Sequence, residues 1–356
     1  AFIQYGYHFQ RLEAIAYPYH YQNDVRFHYG GPEAEHNRVG RLYLTEDATG
    51  GKELFYGPLG ETTKSIRTVV INDTEVRTFI EEFMHDSWGR IQEQIYADGE
   101  VVSYHYDRGG KLNRMDSRHL DFEYTYISEI LYDKFEQRTS ITYGNGAATT
   151  YSYDPERRWL EQMQASSEEA GQFCNMQYGF DLVGNITSLD NLAEQTNVPG
   201  GIGGRYSHSY EYDPLYRLIS AQGQWTQAGL TSEYGLDMGY DNLHNIEFKS
   251  QRVTRNGLEV NDQTYDREYL YDQDRPHLPS RIGDFAFTAD ANGNLTSQVN
   301  QVQLQNRRLI WDEENRLQQV NDGGYISQNT FDASGIRTIK SHGPGSGVTI
   351  DGTEVG

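Results

Sequence analysis

Cysteine is almost absent from this chain of 356 residues, because Cys174 is the only one. An intrachain disulfide is therefore excluded, and stability must come from packing and hydrogen bonds. Cys174 lies between Phe173 and Asn175, without the basic neighbours that activate a thiolate. We interpret it as a small apolar residue rather than a reactive one.

Long hydrophobic runs are also missing. No apolar stretch approaches the roughly 18 residues that a membrane span needs, and no N-terminal stretch has the pattern of a signal peptide. The chain begins at Ala1 rather than at a methionine. This start indicates a sequence that begins inside a longer or processed protein.

Basic residues are few relative to acidic ones. The chain has 30 Lys and Arg against 52 Asp and Glu, which gives a formal net charge of −22. Phosphate binding requires clustered basic side chains, so nucleic acid is not an expected partner. An anionic membrane surface is disfavoured for the same reason. The charge favours solubility, and it is compatible with a cationic or partly unfolded cargo.

Tyrosine and glycine are abundant. The chain has 28 Tyr, against 14 Phe and 4 Trp, together with 36 Gly. Tyrosine is a strong strand residue whose ring is apolar and whose hydroxyl is polar, so it suits a wall with one dry and one wet face. Glycine marks turns. This composition predicts β-structure, with at most one short helical turn at residues 191–195.

One phrase recurs along the chain: an aromatic residue, Asp, two variable residues, a turn residue, a polar residue and an aliphatic residue. Eleven Asp residues fit the phrase, nine of them follow Tyr, Phe or Trp, and their spacing runs from 18 to 32 residues. The clearest copies begin at Tyr106-Asp107, Phe180-Asp181, Tyr212-Asp213, Tyr240-Asp241 and Trp311-Asp312. Weaker copies begin at His85-Asp86, Tyr132-Asp133, Tyr153-Asp154, Tyr271-Asp272, Ala289-Asp290 and Phe331-Asp332.

The phrase predicts a β-hairpin turn. Asp at the first turn position accepts hydrogen bonds from backbone N–H groups that follow it. The third residue after Asp then needs a positive φ, as in a hairpin with a G1 bulge. Glycine takes that position at Gly89, Gly110, Gly184, Gly293 and Gly335, and His244 and Asn315 are tolerable there. Four residues depart from the pattern, and we expect strained or different turns at Glu136, Arg157, Tyr216 and Arg275.

The spacing predicts one hairpin per repeat, with the aromatic and aliphatic residues facing each other across the two strands. The polar position is occupied by residues such as Arg217, Asn245 and Arg316. Asn145-Gly146 and Asn256-Gly257 indicate further hairpin turns. The fold class predicted is all-β, with antiparallel hairpin repeats that form a curled strip or a hollow shell segment.

We divide the chain into three parts. Residues 1–80 are predicted to be divergent leading strands of the same shell, residues 81–340 the repeat shell, and residues 341–356 a Gly-rich tail that leads to a missing C-terminal part. A Gly-rich loop at 197–205 and a polar excursion at 249–267 are predicted insertions.

These phrases, above all Asp86-x-x-Gly89-Arg90 followed by Ile91, resemble the RHS/YD-repeat family of bacterial polymorphic toxins, insecticidal toxin complexes and animal teneurins. The resemblance covers about residues 40–340. It implies a long hairpin strip wound into a hollow shell that encloses a toxin, in a protein that is secreted, displayed on the cell surface or exported by a specialised bacterial system. The family's toxins usually continue into an aspartate-dependent self-cleavage segment, and no matching segment is found here.

No catalytic motif accompanies the repeats, and no catalytic, cofactor or metal residues are predicted. Asp290–Asn294 begins like a calcium loop, but Leu295 stands where that loop requires Gly. Asp272, Asp274 and His277 could ligate a metal, yet the prolines beside them indicate an exposed loop. The glycines at 200–204 lack the strand and helix that a phosphate loop requires.

Three functions compete at this point. The first is a structural shell segment that encloses or delivers a toxin or effector cargo, with the rest of its precursor or a neighbouring shell protein as partner. The second is an extracellular recognition module that binds glycan or a receptor through exposed aromatic strips. The third is an enzyme, for which no convergent set of residues is visible.

Overall fold

The computed structural model describes residues 2–72, 74–196, 203–227, 229–300 and 302–344. The chain divides into two compact units, unit 1 from residues 1–103 and 284–356, and unit 2 from residues 104–283. The described residues form 29 strands and a single 3-10 turn, Tyr21–Asn23, with no α-helix. The predicted all-β class of antiparallel hairpin repeats is confirmed.

Unit 1 contains the leading strands and the last repeats. Its first strands are β1 (Gln4–His8), β2 (Arg11–Ala16), β3 (Val25–Tyr29), β4 (Leu42–Asp47), β5 (Gly50–Tyr56), β6 (Thr62–Asn72), β7 (Glu75–His85), β8 (Ile91–Ile95) and the start of β9 (Val101–Tyr106). Its last strands are β24 (Phe285–Ala289), β25 (Leu295–Asn300), β26 (Gln305–Trp311), β27 (Leu317–Asp322), β28 (Tyr325–Phe331) and β29 (Arg337–Pro344).

Unit 2 contains the middle repeats. Its strands are β10 (Leu112–His119), β11 (Phe122–Tyr132), β12 (Arg138–Tyr143), β13 (Ala148–Tyr153), β14 (Leu160–Ser167), β15 (Gly171–Phe180), β16 (Ile186–Asn191), β17 (Tyr206–Tyr212), β18 (Leu218–Gln227), β19 (Leu230–Tyr240), β20 (Ile246–Arg255), β21 (Leu258–Glu259), β22 (Tyr265–Tyr271) and β23 (Pro279–Ile282).

Within each unit, strands adjacent in the chain pair antiparallel, except that β22 pairs with β20 rather than with β21, and the repeat phrase fixes their register. At the turns, the aromatic residue lies opposite the aliphatic one, as in Phe180–Ile186, Tyr212–Leu218 and Tyr240–Ile246. The register shifts at these same positions, which is the mark of a bulge beside the turn. The turn chemistry therefore sets which side chains share a face of the sheet.

Two expectations from the sequence, one for residues 191–195 and one for residues 249–267, differ from the structure. Residues 191–195 form no helical turn; Asn191 ends β16, and the residues after it run without regular structure because the Asn191 side chain accepts from the backbone N–H groups of Asn175 and Ala193. The polar segment at 249–267 is largely strand, since β20 continues to Arg255 and turns back at Asn256-Gly257. Residues 197–202 and 345–356 lie outside the described residues.

Few side chains are deeply buried. Among the described residues the buried hydrophobic side chains number twelve, and the one cluster they form is Ile15, Tyr17 and Val25 in unit 1. Most strand residues are partly exposed on both faces of the sheet. The fold must therefore rely on hydrogen bonds and half-buried rings more than a globular domain does.

Candidate functional site: the repeat turns

Each repeat turn is organised by the carboxylate of its Asp, as Asp213 shows. Its Oδ1 accepts from the backbone N–H of Leu215 at 2.8 Å and of Arg217 at 3.0 Å, and its Oδ2 accepts from the Arg217 guanidinium at 2.6 Å. The backbone N–H of Asp213 donates to the Arg217 carbonyl at 2.9 Å, and that of Tyr216 donates to the Asp213 carbonyl at 2.9 Å. The carboxylate and two backbone hydrogen bonds together satisfy these polar groups of the turn.

The same geometry recurs with different partners at the polar position. The Oδ1 atom accepts from the N–H groups two and four residues on at Asp86, Asp133, Asp181, Asp213, Asp241, Asp290, Asp312 and Asp332. The fourth residue adds a side-chain bond to Oδ2 at Arg90, Asn185, Arg217, Asn245, Asn294 and Arg316. Arg and Asn recur there because both can donate to the carboxylate.

These bonds lower the pKa of six of the turn carboxylates. At Asp86 the hydrogen bond from the Arg90 backbone is the largest cause of the lowered pKa. At Asp213 desolvation is the largest single influence and acts to raise the pKa, but the hydrogen bonds from Arg217 and Leu215 together outweigh it, so the net shift is downward. The pKa is lowered in the same balance at Asp181, Asp241, Asp290 and Asp332. The carboxylates are held ionised as structural acceptors.

The left-handed position follows the phrase in most turns. Its φ is positive at Gly89, Gly110, Gly184, Gly293, Gly335, His244 and Asn315. Glu136 and Tyr216 also adopt it, with φ of 65° and 63°, so these turns keep the common geometry although neither residue favours it.

The turn at Arg157 is of a different type, as expected. That turn is one residue longer, because Asp154 N–H donates to the Trp159 carbonyl, and Arg158 takes the positive φ of 65°. The turn at Arg275 is longer still, since Asp272 N–H donates to the Leu278 carbonyl. Pro155 and Pro276 accompany these two longer loops.

A second contact joins six of the repeats to the repeat before them. The aromatic residue before the turn donates to the backbone carbonyl of the fifth residue after the previous turn Asp. Six consecutive-repeat pairs do this, at 2.6–2.9 Å: Tyr132 to Leu112, Tyr153 to Arg138, Tyr212 to Ile186, Tyr240 to Leu218, Tyr271 to Ile246 and Trp311 to Leu295. We call this contact the aromatic fastening.

The aromatic fastening also occurs in the leading strands, where the Asp is lacking. Tyr29 donates to the carbonyl of Leu12 at 3.1 Å, and Tyr56 donates to that of Leu42 at 2.5 Å. The turn after Tyr56 has the common backbone bonds, from Gly57 N–H to the Glu61 carbonyl and from Gly60 N–H to the Gly57 carbonyl. The leading strands therefore contain the same ring-to-carbonyl hydrogen bond and the same turn bonds as the repeats.

Within unit 1, the segment that follows β2 packs against the turn of Asp312. Tyr17, 1% exposed, donates its hydroxyl to Oε1 of Glu314 at 2.7 Å. The Tyr19 N–H donates to Oε1 of Glu313 at 3.0 Å, and His20 Nδ1 lies 2.8 Å from its Oε2. We call these bonds the leading-strand contact.

Burial and charge explain the electrostatics of this contact. Desolvation, then the hydrogen bond to Glu314, raises the pKa of Tyr17. Desolvation acts to raise the pKa of Glu313, but hydrogen bonds from His20 and the Tyr19 backbone outweigh it and lower that pKa. Asp47 extends the contact, since its Oδ2 accepts from the Ala333 N–H at 3.0 Å. Nothing in the phrase marks these residues, because Glu313, Glu314 and Ala333 occupy its variable positions.

The candidate metal ligands serve the turns instead. Asp272 Oδ1 accepts from the N–H groups of Asp274 and Arg275, and His277 Nδ1 lies 2.8 Å from Oδ1 of Asn245. Across the described ranges, no three His, Cys, Asp or Glu side chains come together as a metal site requires. Burial raises the pKa of the Cys174 thiol, which makes it a poor nucleophile. The described residues also contain no helix with the length and hydrophobicity to cross a membrane.

Comparison with known proteins points to one group. No protein-family model matches the chain. Two toxin subunits of Yersinia entomophaga do: YenC1 is 27% identical over 236 residues, which are 63% of this chain and 22% of YenC1. YenC2 is 32% identical over 107 residues, which are 29% of this chain and 11% of YenC2. The chain therefore spans less than a quarter of the length of these relatives.

Solved structures share the fold. The crystal structure of TcdB2-TccC3-Cdc42 superimposes with a TM-score of 0.76 and 20% identity over 96% of this chain and 18% of that one. A Photorhabdus luminescens Tc holotoxin pore gives the same TM-score and identity over 95% of this chain and 18% of that one. The chain is therefore similar in sequence to two toxin subunits and shares its fold with Tc toxin structures, which agrees with the resemblance of its repeats to the RHS/YD-repeat family.

Proposed function

We propose that this chain is a structural shell segment of an RHS/YD-repeat protein that encloses or delivers a toxin or effector cargo. The observation that carries the proposal is the sequence match to the toxin subunits YenC1 and YenC2, joined to a fold shared with toxin-complex structures over nearly the whole chain. The turn and fastening residues, from Tyr106 to Gly335, then have a structural role, because they keep the hairpins of the shell together.

The aromatic fastening would help to keep a shell wall closed. A repeat array is stabilised by each repeat and by its interfaces with its neighbours, so a weak interface opens the array locally. Each fastening adds one hydrogen bond to the backbone ladder, and such a bond contributes about 1 kcal/mol. Six of them in consecutive-repeat pairs would resist local opening through which an enclosed cargo could escape or be digested.

The recognition alternative is less favoured. Glycan or receptor binding by aromatic strips requires rings and hydroxyls that are displayed to solvent. Tyr212, Tyr240 and Tyr271 are instead partly buried, with their hydroxyls committed to the backbone of the preceding repeat. The proposal assigns no catalytic reaction to the chain, and it places the protein among exported toxins.

Protection of the cargo tests the proposal. The full-length precursor is incubated with trypsin, and the enclosed segment is expected to remain uncut while the same segment is cut after denaturation. The combined variant Tyr212→Phe, Tyr240→Phe and Tyr271→Phe should speed the cleavage, because it removes three fastenings. The control Tyr7→Phe, at an exposed ring, should not. Cleavage at equal rates in the native and denatured precursor would contradict enclosure.

We further propose that an edge strand of this segment pairs with another polypeptide, either the rest of the precursor or a neighbouring shell protein. Within the described residues β1 pairs with β2 alone and β29 with β28 alone. Such edges expose unpaired N–H and C=O groups that attract a partner strand. Light scattering on the isolated 356-residue chain should show self-association. A stable monomer whose β1 and β29 amides are both protected from hydrogen exchange would rule this out.

A further inference from the structure

We propose that a cavity in unit 1 binds an extended, uncharged peptide segment through glutamine and asparagine side chains that have no partner among the described residues. The cavity has a volume of about 420 Å³, which lies in the range of small-ligand pockets. Strands β26–β29 form one wall, and the 3-10 turn Tyr21–Asn23 and the end of β6 form the other. This binding activity goes beyond the role of a shell segment and rests on different residues.

A row of polar side chains crosses the sheet wall of the cavity. Ile310 pairs with Gln319, Gln319 with Gln328, and Gln328 with Ser341, so the four side chains share one face on neighbouring strands. Gln328 is only 7% exposed. Neither glutamine amide has a hydrogen-bond partner among the residues that the structure describes. Two primary amides, about 5 Å apart across the strands, therefore offer donors and acceptors to whatever enters.

The facing wall contributes an unpartnered donor. Asn23 is 7% exposed, and within the described part of the chain its buried Nδ2 has no hydrogen-bond partner. A buried donor left unpaired costs about 1–3 kcal/mol, so native proteins seldom keep one without a ligand, water or ion. A ligand acceptor that reached this Nδ2, such as a peptide carbonyl, would remove that cost.

The residues that line the cavity disfavour a charged ligand. Among the described residues no Asp or Glu borders the cavity, although the chain has 52 of them. His20 borders it, but its Nδ1 is taken by Glu313. Lys340 and His342 also border it, but in β29 these exposed residues alternate with Ile339 and Ser341, so their side chains lie on the opposite face of the strand. A charged ligand would lose its hydration without gaining a counter-charge, which is unfavourable.

The remaining lining selects the class of ligand. Val70, Ile71, Ile310 and Ile339 supply aliphatic contact, and no Tyr, Trp or Phe ring of the described ranges borders the cavity for a sugar to stack on. A peptide carries a donor and an acceptor on each residue and aliphatic side chains between them. An extended, uncharged peptide therefore matches both the amides and the aliphatic part of this cavity.

The test is a titration of the full 356-residue chain with the capped peptide acetyl-Val-Gln-Val-amide, followed by calorimetry and by the side-chain amide NMR signals of Asn23 and Gln328. Saturable binding with shifts of these signals is expected. The acidic peptide acetyl-Asp-Gln-Asp-amide should bind at least about tenfold more weakly. No saturable response, with amides that contact only water, would overturn the proposal and leave a hydrated cavity.

A pair of matched variants locates the binding. Gln328→Leu keeps the volume and removes the amide, so it should weaken binding at least about tenfold. Gln92→Leu changes an exposed glutamine of β8 and should leave binding unchanged. Thermal unfolding checks that both variants fold, and Gln319→Leu replaces Gln328→Leu if that one does not. Equal weakening by Gln92→Leu, or undiminished binding by both cavity variants, would overturn the assignment.

Discussion

Asn329 donates from its Nδ2 to the carbonyl of Leu317 at 2.8 Å. Leu317 is the fifth residue after Asp312, and six other repeats bond that carbonyl through the ring of the following aromatic residue. Here the following aromatic is Phe331, which has no donor. Asn329 lies two residues earlier on the same face of β28 and supplies the bond instead. The contact is kept although the residue that makes it has changed.

Removal of one fastening should destabilise the repeats that it joins. Tyr240→Phe deletes the hydroxyl that donates to the Leu218 carbonyl and leaves the ring in place. We expect a loss of about 1 kcal/mol, measured as a lower midpoint of urea unfolding. Tyr7→Phe, whose ring is 62% exposed, is the control and should leave the midpoint unchanged. Equal midpoints for Tyr240→Phe and the wild type would show that the fastening is not stabilising.

At the last repeat, where Asn329 replaces the usual ring donor, a ring donor can be restored by substitution. Asn329→Ala should cost about 1 kcal/mol because the Leu317 carbonyl loses its partner. Adding Phe331→Tyr to that variant restores a ring donor at the position used in the other repeats, and should recover most of the loss. Phe331→Tyr in the wild type should change the unfolding midpoint little. If Phe331→Tyr fails to rescue Asn329→Ala, the two donors are not interchangeable.

The left-handed turn position predicts opposite effects for two kinds of substitution. Gly184 has φ of 99°, and an added Cβ would also lie 3.0 Å from the Trp159 ring, whereas Gly335 has φ of 80° and open space. Gly184→Val should therefore cost more than the roughly 1–3 kcal/mol of backbone strain expected for Gly335→Val. Glu136→Gly should raise the unfolding midpoint, because it relieves a positive φ of 65°. A lowered midpoint for Glu136→Gly would contradict this reasoning.

The turns could be predicted from sequence because their causes are local. The Asp, the left-handed residue and the facing aromatic–aliphatic pair all lie within seven residues, so the pattern repeats visibly. The exceptions show the limit of that pattern. Glu136 and Tyr216 adopt positive φ because the Asp bonds and the strand register impose the turn on them. The loops at Arg158 and Leu278 contain extra residues, and the spacing of the phrase did not predict them.

Contacts that join distant segments had no sequence signal. Tyr17 and Glu314 are 297 residues apart, and Glu314 occupies a position that varies freely in other turns. The hydroxyl of Tyr240 was a generic feature of tyrosine until the structure placed it on the Leu218 carbonyl. The role of the polar residue, such as Arg217, also required the geometry of the Asp carboxylate.

The turn carboxylates make stability depend on pH. The pKa of Asp213 is lowered in the folded chain, so its contribution is present above the unfolded value of about 3.9 and is lost as the pH falls through the folded value. Asp86, Asp181, Asp241, Asp290 and Asp332 add in the same direction. The midpoint of unfolding should therefore fall steeply on acidification below about pH 4.

A variant isolates one of these carboxylates. Asp213→Asn should lower the unfolding midpoint at about pH 7, and its difference from the wild type should shrink as both are acidified. The exposed Asp262→Asn is the control and should show no such pH-dependent difference. A constant difference between Asp213→Asn and the wild type from about pH 7 to about pH 2 would mean that ionisation of Asp213 does not stabilise its turn.

The leading-strand contact should stabilise the first strands of unit 1 against local opening. The Glu313 side chain is 1% exposed and accepts from the Tyr19 N–H and from His20, so Glu313→Gln replaces one of the two acceptor oxygens by a donor. A lost hydrogen bond to a charged group costs about 1.5–3 kcal/mol. We expect faster hydrogen exchange in β2 and β3, with the amides of unit 2 unchanged.

Glu33→Gln, at an exposed glutamate of the same leading region, should leave exchange as in the wild type. Faster exchange throughout unit 2 as well, or none in β2 and β3, would show that these strands are held by β-pairing alone.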